Sequence, residues 1–168
     1  MVTRRTMMFA TAGVAGLIAA LRGLWSGDAA AAGPFEVEKS DDEWRRVLTQ
    51  AQYDILRRHG TERAGSSPLN KEKRKGTFAC AGCELPLFSS DTKFESGTGW
   101  PSFWQPLPNA VGTSTDNSFL MRRTEVHCRR CGGHLGHVFE DGPPPTHLRY
   151  CMNGVALKFM PTAGSGPA

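Results

Sequence analysis

The sequence predicts a mainly β protein, a compact antiparallel domain with short N-terminal helices and a structural Cys₄ zinc site. Three observations predict it. Nineteen Gly and eleven Pro in 168 residues are too many for a helical bundle, and they crowd residues 76–168. From Gly76 onward the apolar runs are strand-length and are bounded by Gly, Pro, Asn or Asp. Two Cys-x-x-Cys pairs then offer four thiols to one metal. The length suits one core and is short for two ordinary domains. The charge, 20 Lys+Arg against 16 Asp+Glu, is spread along the chain, so it marks neither a nucleic-acid surface nor a polybasic membrane patch.

Residues 1–32 read as a cleaved export signal and are set apart from the fold. Arg4 and Arg5 precede an apolar stretch from Met7 to Leu21, and Ala29–Ala32 offer an Ala-x-Ala cleavage site. The stretch is about 15 residues, short of the roughly 20 that span a bilayer, so no stable membrane span is expected after cleavage. Thr3-Arg4-Arg5 resembles a twin-arginine signal, although Met7 and Met8 replace its usual Phe and Leu. Export to a bacterial periplasm or cell envelope follows as the expectation, with a mature domain at 33–162 and a flexible Gly/Pro/Ala tail at 163–168.

Ser40-Asp41-Asp42-Glu43 and Thr49-Gln50-Ala51-Gln52 each fit a capping box, in which the two side chains satisfy amide donors at a helix start. The first predicted helix carries Trp44, Val47 and Leu48 on its apolar face. The second carries Tyr53, Ile55 and Leu56 and stops at His59-Gly60, where Gly can take the left-handed cap. Residues 61–75, with Gly65-Ser66-Ser67-Pro68 and a basic run to Lys75, read as a solvated loop. Strands are expected at Thr77–Cys80, Leu85–Ser89, Ser118–Met121, Thr124–Cys128, His134–Phe139, Leu148–Cys151 and Val155–Met160.

The pairs Cys80/Cys83 and Cys128/Cys131 are 44 residues apart, so the sheet must bring them together. Four thiolates can close a tetrahedral shell around one zinc ion per chain, with no open position for chemistry. Two disulfides or a redox-active dithiol are the alternatives, the first plausible in an exported protein. A thioredoxin-like site wants one pair at a helix start in a βαβ unit, which is missing here. Cys151 is left over. Beside Arg149, Tyr150 and Asn153 it is either a nucleophile or an inert thiol. His134 and His137 would face opposite sides of a regular strand, so sharing one site requires a bulge, for which Gly136 is suited.

Together these segments resemble the B-type methionine sulfoxide reductases. The resemblance is carried by Phe78–Cys83, Ser96-Gly97-Thr98-Gly99-Trp100-Pro101-Ser102-Phe103, Arg123–Cys128 through Gly133–Phe139, and Arg149-Tyr150-Cys151-Met152-Asn153, in the family's order. It implies an enzyme that reduces the R epimer of methionine sulfoxide in oxidised proteins, on an antiparallel β fold with a structural zinc at Cys80, Cys83, Cys128 and Cys131. It implies Cys151 as the nucleophile that becomes a sulfenic acid. His134, His137 and Asn153 would bind the sulfoxide oxygen and supply its proton, Trp100 would face the substrate methyl, and Arg149 would favour the thiolate. Many members carry a second Cys where Thr98 stands, so regeneration here would fall to a thioredoxin-like or other external thiol. No nucleic-acid partner is implied. Two rival readings are a zinc-stapled binding module, which has no need of Cys151, and a thiol-disulfide oxidoreductase using the Cys-x-x-Cys pairs.

Overall fold

Both capping boxes form. Ser40 Oγ accepts from the Glu43 amide at 3.3 Å while Glu43 Oε2 accepts from the Ser40 amide at 2.7 Å, opening α1 (Asp41–Val47). Thr49 and Gln52 do the same for α2 (Gln50–Leu56). These contacts belong to a computed structural model that describes residues 35–118 and 121–163. The expected leader at 1–32 and residues 164–168 of the expected tail lie outside the described residues. Among the described residues no helix is long and apolar enough to cross a membrane.

The helices bury Trp44, Leu48, Tyr53, Ile55 and Leu56. Val47, expected on that face, is 59% exposed, because Leu48 leaves the helix as its extended C-cap and takes the inward contact. The left-handed residue after α2 is His59, φ 54°, and not the expected Gly60. Gly60 serves a close approach instead: its amide donates to Asp54 O at 2.9 Å, and a Cβ would stand 2.8 Å from that oxygen.

Among the described residues nine strands follow: β1 (Gly76–Cys80), β2 (Pro86–Ser89), β3 (Lys93–Phe94), β4 (Ser102–Phe103), β5 (Val111–Asp116), β6 (Arg123–Cys128), β7 (His134–Phe139), β8 (Arg149–Met152) and β9 (Leu157–Pro161). They form an antiparallel three-stranded sheet, β2-β1-β9, and an antiparallel six-stranded sheet, β3-β4-β8-β7-β6-β5. Phe78 and Phe88, paired across β1 and β2, meet Phe103 of the larger sheet with ring centroids 4.9 and 4.4 Å apart, and all three are fully buried. Such aromatic pairs add about 0.5–1.5 kcal/mol beyond the area they bury.

Two strand expectations change. Ser118 and Met121 lie outside any strand, and the outer strand there is β5, whose Val-Gly-Thr-Ser-Thr-Asp lacks an apolar alternation because it is a largely exposed edge. β9 begins at Leu157 because Gly154–Ala156 form a 3₁₀ turn. The segment 61–75 is less solvated than expected: Glu62 and Ser67 are buried, and Ser67 caps a 3₁₀ turn at Pro68–Lys71.

Candidate active site and metal centre

The two Cys-x-x-Cys segments make matching knuckles. In the first, the Glu84 amide donates to Cys80 O at 2.8 Å and the Cys80 amide to Leu85 O at 2.9 Å. In the second, the Gly132 amide donates to Cys128 O at 2.9 Å and the Cys128 amide to Gly133 O at 2.9 Å. Each turn is completed by a positive φ directly after its second Cys, 59° at Glu84 and 67° at Gly132. The β1 and β6 ends thus present four sulfurs, all within 4.8 Å of one another. None forms a disulfide. The closest pairs, Cys80–Cys131 and Cys83–Cys128, stand 3.7 and 3.5 Å apart, against about 3.8 Å for the edge of a tetrahedron with 2.3 Å metal–sulfur bonds. The donor set therefore fits a four-coordinate metal. Leu56 of α2 and Trp44 of α1 pack over the knuckles, and Arg57 Nη1 donates to Cys131 O at 3.0 Å.

The second centre is organised by strand register. One row of directly paired residues crosses the larger sheet: Phe94, Ser102, Cys151, His137, Glu125 and Ser114. Paired residues share a face, so Cys151 and His137 are neighbours on the face opposite Phe103. His134 joins them through the bulge. Opposite Val126 and His127 on β6 stand Gly136 and His134 on β7, which leaves Leu135 as the extra residue. The His134 and His137 rings then lie 5.4 Å apart.

Gly136 is what allows this. Its φ is 155°, and a Cβ there would stand 2.1 Å from Cys151 O and 3.0 Å from Met152 Cα. Both are backbone atoms of the adjacent strand and cannot rotate away. Gly136→Ala is expected to cost about 3 kcal/mol or more, at the upper end of overpacking penalties, read as a lowered urea midpoint.

Cys151 is half-buried in a cleft of about 120 Å³, with Trp100, His137, Phe139 and Asn153 also on its walls. Burial pushes its thiol pKa up, while Thr98 and Arg149 pull it down without prevailing. Arg149 is itself engaged, its Nε and Nη2 each donating to Asp141 at 2.8 Å. Thr98 Oγ1 lies 3.9 Å from Cys151 Sγ. Its loop is pinned at Gly99, whose carbonyl accepts from the Gly65 amide at 2.7 Å and from Asn70 Nδ2 at 2.9 Å.

Both histidines are anchored by carboxylates. His137 Nε2 is 2.8 Å from Asp116 Oδ2, and His134 Nδ1 is 2.7 Å from Glu125 Oε1. Hydrogen bonds from Ser118 and His137 together with the Arg123 charge hold Asp116 well below the usual carboxylate range, and His134 draws Glu125 down to about 2. Desolvation lowers the His137 pKa against the pull of Asp116. A neutral imidazole beside a half-buried thiol can accept a proton and, once charged, hand it on. His134 itself opens onto an adjoining cleft of about 490 Å³ and not onto the smaller one.

Sequence reasoning missed the residues that hold these groups. Glu62 is the most connected: its carboxylate accepts from the Gly154 and Val155 amides at 2.6 and 3.0 Å, its carbonyl from Trp100 Nε1 at 3.2 Å, and its amide donates to Asn153 Oδ1 at 3.0 Å. Asn153 Nδ2 donates to Leu135 O at 3.1 Å, so that amide braces the site as well as lining the cleft. Asp116, Glu125 and Asp141 likewise carry no role in the sequence reading. The signal available was an acidic residue inside a β-period segment, as at Glu125, where a charge needs a partner.

The chain is also similar in sequence to known proteins. The SelR domain family matches residues 48–161. The peptide methionine sulfoxide reductase MsrB of Leptospira interrogans serogroup Icterohaemorrhagiae serovar Lai is 57% identical over 126 residues, 74% of this chain and 96% of that protein. The MsrB of Agrobacterium fabrum is 55% identical over 127 residues, covering 75% of this chain and 94% of its own length. The MsrB of Methanosarcina barkeri is 58% identical over 124 residues, 73% and 87% of the two chains.

Proposed function

The chain belongs to the SelR-domain family of MsrB peptide methionine sulfoxide reductases, and from that premise we propose that it reduces methionine R-sulfoxide in oxidised proteins. The observation that carries the reading is Cys151, the one thiol outside the Cys₄ cluster, facing a cleft it shares with the Trp100 indole and the His137 imidazole.

The Cys151 thiolate attacks the sulfoxide sulfur. The oxygen takes a proton from the imidazolium form of His137, helped by His134, and passes to Sγ as the substrate's sulfur–oxygen bond and the sulfur–sulfur bond made in the attack both break. Cys151 leaves as a sulfenic acid and the substrate as methionine, so one oxygen has moved and the sulfoxide has gained two electrons. Trp100 packs on the substrate methyl, Asn153 and Glu62 keep the wall in place, and Arg149 offsets part of the burial that disfavours the thiolate. An incoming thiol then attacks the sulfenic acid, water leaves, and a second thiol releases Cys151 from the mixed disulfide. Thr98 has no sulfur, so both thiols come from outside the chain, from a thioredoxin-like protein or another thiol reductant.

The metal held by Cys80, Cys83, Cys128 and Cys131 is zinc in this reading. Its contribution is folding free energy, since four sulfurs leave no position for a reactant.

The test mixes reduced, metal-loaded protein with each separated epimer of a blocked methionine sulfoxide and no reductant. The R epimer should yield about one methionine per chain, a Cys151 sulfenic acid trappable by a carbon nucleophile, and no released metal. Reduction of neither epimer overturns the proposal, and a same-chain Cys151 disulfide overturns the part played by external thiols. In Thr98→Cys, the short approach of position 98 to Cys151 should turn the sulfenic acid into a disulfide.

Export is proposed on Arg4, Arg5, the apolar run to Leu21 and the alanines before Gly33. Fractionation of the native host should find a chain beginning near Gly33 in the cell envelope. A full-length chain confined to the cytosol would reject it.

A further inference from the structure

Beyond the Cys₄ cluster, one other group of metal-ligating side chains converges among the described residues. His59, Glu125 and His134 each offer a ligand atom, and these atoms lie within 4.8 Å of one another. His134 Nδ1 stands 2.7 Å and His59 Nδ1 2.9 Å from the same carboxylate oxygen, Glu125 Oε1. We propose that His59, Glu125 and His134 form a second metal site, one that takes a divalent transition ion such as zinc.

Two of the ligands are fixed by the sheet. Glu125 and His134 lie on adjacent strands, their side chains only 12% and 3% exposed, and Ser114 Oγ donates to the remaining oxygen of Glu125 at 2.5 Å. The third comes from the chain leaving α2, where the left-handed turn at His59 aims an imidazole back over β6 and β7. Imidazole nitrogens and a carboxylate oxygen are the donor set that suits zinc, nickel and copper, and not the hard cations calcium and magnesium.

The spacing is that of hydrogen bonds and must open slightly. Zinc bonds of about 2.0–2.1 Å in a tetrahedron need ligand atoms roughly 3.3 Å apart, so each imidazole withdraws by about half an ångström. His59, with a side chain 63% exposed, is free to make that adjustment. The three residues also line the larger cleft beside Thr61, Thr115 and Asn117, which leaves room for a water as the fourth ligand. The ion is therefore exchangeable, unlike one enclosed by the four cysteines.

The experiment uses the full chain, its Cys₄ site already filled, with Cys151→Ser so that the cleft thiol offers no ligand. Zinc is titrated at pH 7.5 against a chromophoric chelator, with thermal unfolding as the control for folding. The expected result is one zinc beyond the Cys₄ ion, with affinity lowered by more than about tenfold in a His59→Ala background, the outer-shell range being the floor for losing a ligand. His59→Ala should keep its unfolding transition and its Cys₄ metal. A stoichiometry that stays at the Cys₄ ion alone, or a further zinc held equally well without His59, overturns the site. Neither outcome depends on whether the chain reduces sulfoxides.

Discussion

Cys151→Ser is expected to lower methionine formation by at least about 1000-fold, a loss of roughly 4 kcal/mol of transition-state stabilisation, while leaving the fold and the Cys₄ metal in place. The other four thiols are gathered in one cluster at the ends of β1 and β6, so among the described residues none can take over the attack. A serine at position 151 keeps the strand pairing with Ser102 and His137, which involves the backbone alone. The measurement is single-turnover methionine yield beside metal content and thermal unfolding; yield within tenfold of the parent would remove Cys151 from the reaction. The thiol's acidity gives a second check. Burial raises its pKa, so the thiolate fraction grows only on the alkaline side. Alkylation of Cys151 in the free protein should rise with pH through an inflection above the ordinary thiol value of about 8.5. An inflection below that value would mean that Arg149 and Thr98 outweigh desolvation.

Cys80→Ser should have the opposite profile, losing bound metal and folded protein together. Cys80 is fully buried, and it ends β1, the central strand of the smaller sheet. Structural zinc in small domains contributes about 10–16 kcal/mol at neutral pH, comparable with the whole stability of about 5–15 kcal/mol typical of a domain. Removing one of four sulfurs strands the other three and unpins the knuckles from the covering helices. Metal analysis and circular dichroism should fall in parallel for Cys80→Ser and remain at parental levels for Cys151→Ser. A Cys80→Ser protein with full metal and an unshifted unfolding transition would contradict a structural role.

Much of the architecture was legible because its signals are local. A capping box is four consecutive residues, and both were found where they form. Most strands were found because Gly, Pro and Asn bound them and one face is apolar. The outer strand β5 was missed for the converse reason: Thr113, Ser114 and Thr115 are exposed, so no apolar alternation marks them. The short strands β3 and β4 are two residues each, too brief for any periodicity. Glu62 falls in a segment whose sequence reads as a solvated loop, because nothing nearby in sequence is its partner. Its hydrogen bonds reach Trp100, Asn153, Gly154 and Val155, up to 93 residues away.

By itself the sequence determined which groups exist and which local geometries they can take. It supplied four thiols in two knuckle-forming pairs, a fifth thiol apart from them, two histidines around a glycine, and the motifs that place the chain in its family. Only the tertiary structure decided how they combine. Register set Cys151 beside His137, the bulge around Leu135 turned His134 onto the same face, and α2 carried His59 to Glu125. The physical reason is the range of the forces involved. Capping, turn and strand preferences act within a few residues, whereas cross-strand pairing and carboxylate–imidazole contacts join residues whose separation along the chain carries no local signal.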